Sequence, residues 1–506
     1  MSGSASMIIG WSAGKWAGAG PKALRALVIV ALPSARLPAP PMTAPVASVR
    51  VASERADVAE DVPESGTVHR KRRTRRTPAQ RPSAPTAPPA HPPGGAPAFT
   101  DYTRLDSIDL ADIAVRGLLE RTGLAGDQVQ AIVWGGVVLP SAAPNIAREI
   151  ALDLKLDPGC EGYTVTRACA SGLQAVTSAA AAIERGEYDI MIAGGSDSTS
   201  GAEVKLPQKI VHAMAPLALG KPKPKDYLSA ISQLAPFTDL LPSRPKIAER
   251  TTGEVMGESA EKMARIHGIG RAAQDEFAAR SHHRAAAAIA SGRFDQEVLA
   301  VDTPDGARIT RDGLVRADTS IEKLARLKPV FAEDGSVTAG NASPLTDGAS
   351  AVLLMSEETA RALGYQPLAA FRSWSYVSVD PTDQVLIGPA ISMPRALDKA
   401  GMSLDDVDLV DIHEAFAAQT LSVLSALASD EWAKTRLDRD TAVGEVDIDR
   451  LNVHGGSVSI GHPFGATGAR MVTTMANELA LSDKQTALLG ICAAGGIGAS
   501  AVLERI

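Results

Sequence analysis

Four residues of this chain stand in settings suited to chemistry. Cys169 lies in Thr166-Arg167-Ala168-Cys169-Ala170-Ser171-Gly172, between a β-like run and a helix of small residues. A thiol there meets the positive end of the helix dipole and free backbone N–H groups, which favour the thiolate and lower its pKa. Ala and Gly neighbours leave room for a substrate to reach the sulfur. His462 is braced in Gly461-His462-Pro463-Phe464-Gly465-Ala466-Thr467-Gly468. An imidazole on so rigid a loop is a candidate base for a thiol nucleophile. Cys492 ends an apolar run before Ala493-Ala494-Gly495-Gly496, where a second thiol can face a cleft and trade protons. His413, in His413-Glu414-Ala415-Phe416-Ala417, sits at a strand-to-helix junction and could donate to a developing oxyanion.

Taken singly, each residue also has a plainer reading. Either cysteine could be a small buried hydrophobe, His462 a turn residue, and Glu414 a helix cap. Other chemistries fail on spacing. No Gly-Lys-Ser/Thr follows the glycines near His462, so no phosphate loop is formed. His413-Glu414 lacks the second histidine of a zinc-protease helix.

The elements that must position these residues alternate. Helical spacing covers 109–122, 144–154 and 170–185, with apolar or β-branched runs at 129–138 and 188–193 between them. The same grammar returns after 351: strands at 351–355, 368–378, 409–412, 488–492 and 499–503, with helices at 357–363, 393–400 and from Glu414. Such alternation predicts an α/β architecture with helix-covered sheets. Residues 199–335 break the rhythm, with helices expected at 256–267 and 272–291, and read as an insertion.

The first hundred residues are different material. They hold 15 of the 33 prolines and carry a charge of +8, from 13 basic and 5 acidic residues. The remainder is −15, and the whole chain of 506 residues is −7, which argues against general nucleic-acid binding. Residues 1–98 are expected to be a mostly disordered leader, since the Pro/Ala/Gly stretch 82–97 offers little apolar surface to bury. Within it, the apolar run 26–32 behind Lys22 and Arg25 has the look of a short export or transit signal. The basic cluster 70–76 reads as a solvated charge run rather than a nucleic-acid patch. No run of 18 apolar residues predicts a membrane span. Three cysteines form no disulfide framework or CxxC pair, which fits a reducing compartment.

Together the motifs carry a resemblance. Arg167-Ala168-Cys169-Ala170-Ser171-Gly172, Ala339-Gly340-Asn341-Ala342-Ser343, His413-Glu414-Ala415-Phe416, Gly461-His462-Pro463 and the Cys492-x-x-Gly495-Gly496 ending resemble the thiolase superfamily. The resemblance spans about Leu105 to Ile506. His rather than Asn before Glu414 is similar to the β subunit of the fatty-acid oxidation complex. So are Pro144 to Glu149, Met256 to Glu261 and Gly444 to Asp447.

The resemblance implies two similar βαβαβαββ halves in an αβαβα layering. It assigns 99–198 plus 336–360 to the first half, 199–335 to a loop domain and 361–506 to the second half. It implies 3-ketoacyl-CoA cleavage by CoA through an acyl-Cys169, with His462 as base and Cys492 as the acid and base of the leaving and entering groups. His462 and, through a water, His413 would hold the enolate oxygen, and the backbone N–H groups of Cys169 and Ala494 the second oxyanion. Ser343 would lie by the pantetheine arm. No metal or resident cofactor is implied, and coenzyme A is a substrate. A biosynthetic acetoacetyl-CoA thiolase shares these groups, and a non-catalytic thiolase-like scaffold would lack some of them. Expected partners are a second copy of the chain and a hydratase/dehydrogenase α subunit, with peripheral membrane contact through 206–231. The expected compartment is the cytoplasm, or the mitochondrion if the leader is a transit peptide. Thiolases open on a buried strand before Arg-Thr-Pro. Here the residues before Arg76-Thr77-Pro78 are basic, so that strand is either missing or supplied by 47–52.

Overall fold

The computed structural model describes residues 26–29, 96–204, 206–234, 248–310 and 313–506. The expected leader features at 47–52, 70–76 and 82–95 lie outside them. No helix among the described residues is long and apolar enough to cross a membrane.

One mixed sheet organises the chain. Besides the two-residue strand Ala96–Pro97, which pairs antiparallel with Thr346–Asp347 off the main path, its strands are β1 (Ala26–Ile29), β2 (Ala131–Gly135), β3 (Glu161–Val165), β4 (Ile190–Asp197), β5 (Thr346–Ser356), β6 (Ala369–Ser378), β7 (Leu409–Ile412), β8 (Thr486–Ala493) and β9 (Ile497–Arg505). The order is β7-β8-β9-β6-β1-β5-β4-β2-β3. The order is the same pattern twice. In the first half β3, β2 and β4 run parallel, and β5 and then β1 add antiparallel. In the second half a Val410–Leu451 bridge, β7 and β8 run parallel, and β9 and then β6 add antiparallel. The halves join where β1 pairs with β6, Val28 opposite Ala369.

That join corrects the reading of the leader. Ala26–Ile29 is the strand that takes the place in the first half that β6 takes in the second. It is neither missing nor drawn from 47–52. Its register runs from Ala26 opposite Ser356 to Ile29 opposite Leu353.

Helices α1 (Ser107–Thr122) and α2 (Ile146–Asp153) cover the first half, and α3 (Ser171–Glu184) follows β3. Helix α1 begins where the sequence stops it from beginning earlier. Asp106 accepts from the N–H groups of Ile108 and Asp109, the Asp109 carboxylate accepts in turn from the Asp106 N–H, and Gly123 closes the other end at φ 67°. The stretch between β4 and β5 carries α4 (Gln208–Leu219), α5 (Pro224–Leu234), α6 (Met256–Ile266) and α7 (Arg271–Ala290). The second half adds α8 (Pro389–Ala400) over its sheet, α9 (Ala417–Leu427) against α6 and α7, and α10 (Thr467–Leu481).

Helices α3 and α10 pack on each other, α3 also on strands of the first half and α10 on strands of both, so they are buried nearly all round. Small residues make this contact possible. A Cβ on Gly172 would lie 2.4 Å from the Gly465 carbonyl, and one on Gly468 2.3 Å from the Leu173 nitrogen. The close approach brings the loops before both helices to one place.

Candidate active site

Cys169 sits two residues before α3, in a turn stapled by Ser171. The Ser171 hydroxyl accepts from the Arg167 N–H at 2.7 Å and donates to the Ala168 carbonyl at 2.7 Å. Ala168 is left-handed, φ 46°, an uncommon conformation for a residue with a Cβ. The turn leaves Cys169 partly exposed, while Cys160 and Cys492 are buried.

His462 arrives from the other half. Its backbone N–H donates to Thr346 Oγ1 at 3.0 Å, its Nδ1 meets Thr467 Oγ1 at 2.6 Å, and its ring lies edge-on to Phe464. Asp197, at the end of β4, clamps this loop to the first half. Its carboxylate accepts from the N–H groups of Val137, Val138 and Gly465, the last at 2.6 Å.

His413 extends β7, its N–H donating to the Gly490 carbonyl at 2.8 Å. Its ring centroid is 4.1 Å from that of His462. Its Nδ1 is 3.0 Å from Ser457 Oγ, and Arg470 Nη2 donates to that same oxygen at 3.2 Å. The neighbouring Glu414 is not a helix cap. Its buried carboxylate accepts from Ser281 Oγ at 2.6 Å, Asn452 Nδ2 at 2.7 Å and the Val458 N–H at 3.1 Å, tying α7 to the loop before α10.

One ligand-type atom from each of Cys169, His413 and His462 lies within 4.8 Å of the others. The Nε2 atoms of both histidines are buried and have no hydrogen-bond partner among the described residues. Sulfur and two imidazole nitrogens could also hold a thiophilic cation. They equally form a nucleophile with two groups able to take or give a proton.

Cys492 lies on β8 opposite Gly498, and Cys169 is one of the groups that hold its thiol well above the usual range, after burial. The turn that follows, Gly495 at φ 84° and Gly496 at φ 70°, aims the Ala494 N–H at the Cys169 sulfur. Glu249, from the stretch between β4 and β5, holds that turn by accepting the Gly495 N–H at 2.8 Å. Ser343 donates its N–H to the Ala415 carbonyl at 3.0 Å. It lies between the bridges Ala342–Phe416 and Leu345–His462, at the rim of the same cluster.

The electrostatics overturn one expectation. Desolvation pushes the Cys169 thiol up to about 12, with the Ala494 and Cys169 N–H groups pulling the other way and Asp197 adding to the rise. A dipole contribution of about 0.3–1 kcal/mol is too small to win against burial. Burial and the Arg470 charge hold His462 down at about 3, and burial, His462 and Arg470 hold His413 well below the ordinary range. The resting cluster is therefore neutral throughout.

Sequence reasoning missed the second layer: Asp197, Glu249, Ser457, Thr467 and Arg470. Asp197 alone left a signal, a charge closing the apolar strand after Gly194-Gly195.

Comparison with known proteins agrees with this geometry. The family described as "Thiolase, N-terminal domain" matches residues 98–358, and "Thiolase, C-terminal domain" matches 365–505. The chain is 43% identical over 407 residues to a 3-ketoacyl-CoA thiolase of Shewanella woodyi, covering 80% of this chain and 93% of that one. A protein of the same name from Serratia proteamaculans is 44% identical over the same shares. Among solved structures, the Bacillus anthracis acetyl-CoA acetyltransferase superposes with a TM-score of 0.69 at 33% identity, covering 82% of this chain and 97% of that one. Human mitochondrial 3-ketoacyl-CoA thiolase superposes with a TM-score of 0.68 at 27% identity, covering 82% and 96%.

Proposed function

The chain belongs to the thiolase family, and from that premise we propose that it cleaves 3-ketoacyl-CoA with CoA, yielding acetyl-CoA and an acyl-CoA two carbons shorter, in fatty-acid β-oxidation. The observation that carries the reading is a ring nitrogen of each of two histidines within 4.8 Å of the Cys169 sulfur, in rings whose buried Nε2 atoms have no partner among the described residues. Polar atoms left unpaired inside a protein are costly, and are kept where a reacting group will supply the partner.

In the first half-reaction His462 Nε2 takes the Cys169 proton as sulfur attacks the 3-keto carbon. The bond between C2 and C3 breaks, its electrons form the enolate of acetyl-CoA, and the Cys492 thiol protonates that carbon. The imidazolium of His462 and the Nε2–H of His413 hold the enolate oxygen meanwhile. In the second half-reaction the Cys492 thiolate takes the proton of incoming CoA, whose sulfur attacks the acyl-Cys169 carbonyl. The N–H groups of Cys169 and Ala494 hold the resulting oxyanion, and Cys169 leaves with the proton stored on His462. Covalent acylation divides one carbon–carbon cleavage into two steps, each with its own site for negative charge.

Coenzyme A is thus a substrate, and Ser343, at the rim, contacts its pantetheine arm. The stretch 199–335 forms the loop domain over the site. Its helices α4 and α5 expose Val211, Met214, Leu219, Leu228 and Ile231 near Lys221, Lys223 and Lys225. That surface supports contact with a hydratase/dehydrogenase subunit or an anionic membrane surface, in a molecule that dimerises through its thiolase halves. Three free cysteines support a reducing, cytoplasmic setting.

Intact-protein mass spectrometry after brief exposure to 3-ketohexadecanoyl-CoA tests the reading. A myristoyl adduct mapped to Cys169 and discharged by CoA is expected. A folded protein that binds CoA but takes no adduct would overturn it.

A further inference from the structure

We propose that Ser457 and Arg470 lock His413 in the tautomer that carries its proton on Nε2, making it the standing hydrogen-bond donor of the cleft and leaving His462 free to act as the base. The inference deepens the thiolytic reading above and rests on it for its catalytic consequence.

It follows from the donors and acceptors around one hydroxyl. Ser457 is fully buried, and its Oγ meets Arg470 Nη2 at 3.2 Å and His413 Nδ1 at 3.0 Å. A guanidinium only donates, so Arg470 occupies a lone pair of the serine oxygen. The serine proton then needs an acceptor, and His413 Nδ1 is the one in reach among the described residues. A neutral imidazole that accepts at Nδ1 carries its proton on Nε2. The Arg470 charge behind the serine also discourages a second proton on that ring. The Nε2–H so created is buried and has no partner among the described residues, in a ring that lies 4.1 Å from that of His462 and, with Nδ1 turned to Ser457, offers Nε2 to the Cys169 cluster.

His462 is held differently. Its Nδ1 meets Thr467 Oγ1 at 2.6 Å, a hydroxyl to which, among the described residues, no cation donates. Thr467 can therefore accept from Nδ1–H while Nε2 takes a proton, or donate in the other tautomer. Two imidazoles 4.1 Å apart, chemically alike, are given different jobs by what stands behind them. Ser457 and Arg470 are positioning residues that act through His413.

Labelling the full chain with 15N-histidine makes the tautomer visible, with His413 assigned by the signal lost in His413→Gln. The wild type is expected to show an unprotonated Nδ1 and a protonated Nε2. Ser457→Asp replaces the donor with a carboxylate that pairs with Arg470 and accepts from Nδ1–H, so the two signals should exchange. The same variant should lower kcat about 10- to 100-fold with KM nearly unchanged, the usual effect of losing an imidazole's orienting partner. If Ser457→Asp does not fold, Ser457→Ala should give a mixture of tautomers and a smaller loss of kcat. A protonated Nδ1 in the wild type, or full kcat in Ser457→Asp with the signals exchanged, overturns the proposal. The spectrum needs no substrate, so the two readings fail separately. A wrong tautomer with intact turnover refutes this inference, and the expected tautomer without cleavage refutes the thiolytic reading.

Discussion

The two halves of the molecule repeat one strand order, yet they end their strands on different chemistry. In the first half β2 runs into Gly136, β3 leads to Cys169 and β4 closes on Asp197. In the second, β7 runs into His413, the strand-like bridge at Leu451 leads to His462, and β8 carries Cys492. In the proposed reaction the first half thus supplies the nucleophile and a floor of backbone. The second supplies the groups that move protons. A Cβ on Gly195 would lie 2.0 Å from the Gly465 carbonyl, so the histidine loop rests directly on that floor. The lesson is that a duplicated scaffold makes an active site by letting its copies diverge at corresponding loops. The site then exists only where they touch.

The division of labour can be broken at the nucleophile first. Cys169→Ala should abolish adduct formation and reduce turnover by about 10⁴-fold or more, since groups that act as a unit fail together. Steady-state rates and intact mass check it. Cys492→Ala should separate the halves of the reaction instead. The expected loss is about 10²–10⁴-fold, the scale of a general acid–base group. An acyl-Cys169 that CoA no longer discharges should accumulate in the mass spectrum.

A third change attacks the seam. Val28 pairs with Leu354 on one side and Ala369 on the other, so Val28→Pro removes a donor from a strand flanked on both sides. A loss of about 3 kcal/mol is expected, read as a lower denaturation midpoint. Unchanged stability would mean that β1 does not join the halves.

A further contrast concerns pH, and here the halves should behave oppositely. Burial raises the Asp197 carboxyl to about 7 from an ordinary value near 3.8, so the folded state binds more protons between those values. Its contribution is present below about 4 and is lost as pH rises to 7. His462 is lowered from 6.5 to about 3, so there the unfolded state binds more protons. Its contribution is present above 6.5 and is lost as pH falls toward 3. Melting temperature against pH in Asp197→Asn should therefore lose a downward slope between 4 and 7. His462→Asn should lose an upward slope between 3 and 6.5.

Much of the scaffold was legible because it is local. The strand at Leu409–Ile412 and the helix at Glu357–Leu363 coincide with their sequence patterns, and other elements shift by a few residues at their ends. Caps, glycines and apolar periodicity act over a few neighbours, so a linear reading can see them. The strand at 26–29 was not legible as such. Four apolar residues behind two basic ones also fit a targeting signal, and their partners lie more than three hundred positions away. Glu414 misled for a similar reason, because its partners Ser281, Asn452 and Val458 come from two other segments.

The sequence by itself determined the inventory: an α/β chain with a thiol before a helix, a second thiol on a strand, and two histidines in rigid loops. Residue type and local spacing decide which groups can carry a proton or attack a carbonyl. Only the tertiary structure decided what state those groups rest in. The expected low pKa of Cys169 came from one helix terminus, whereas its actual environment is the desolvating wall formed where both halves meet. Protonation and tautomer depend on dielectric, on charges and on hydrogen-bond partners brought from distant segments, and those exist only once the chain has closed on itself.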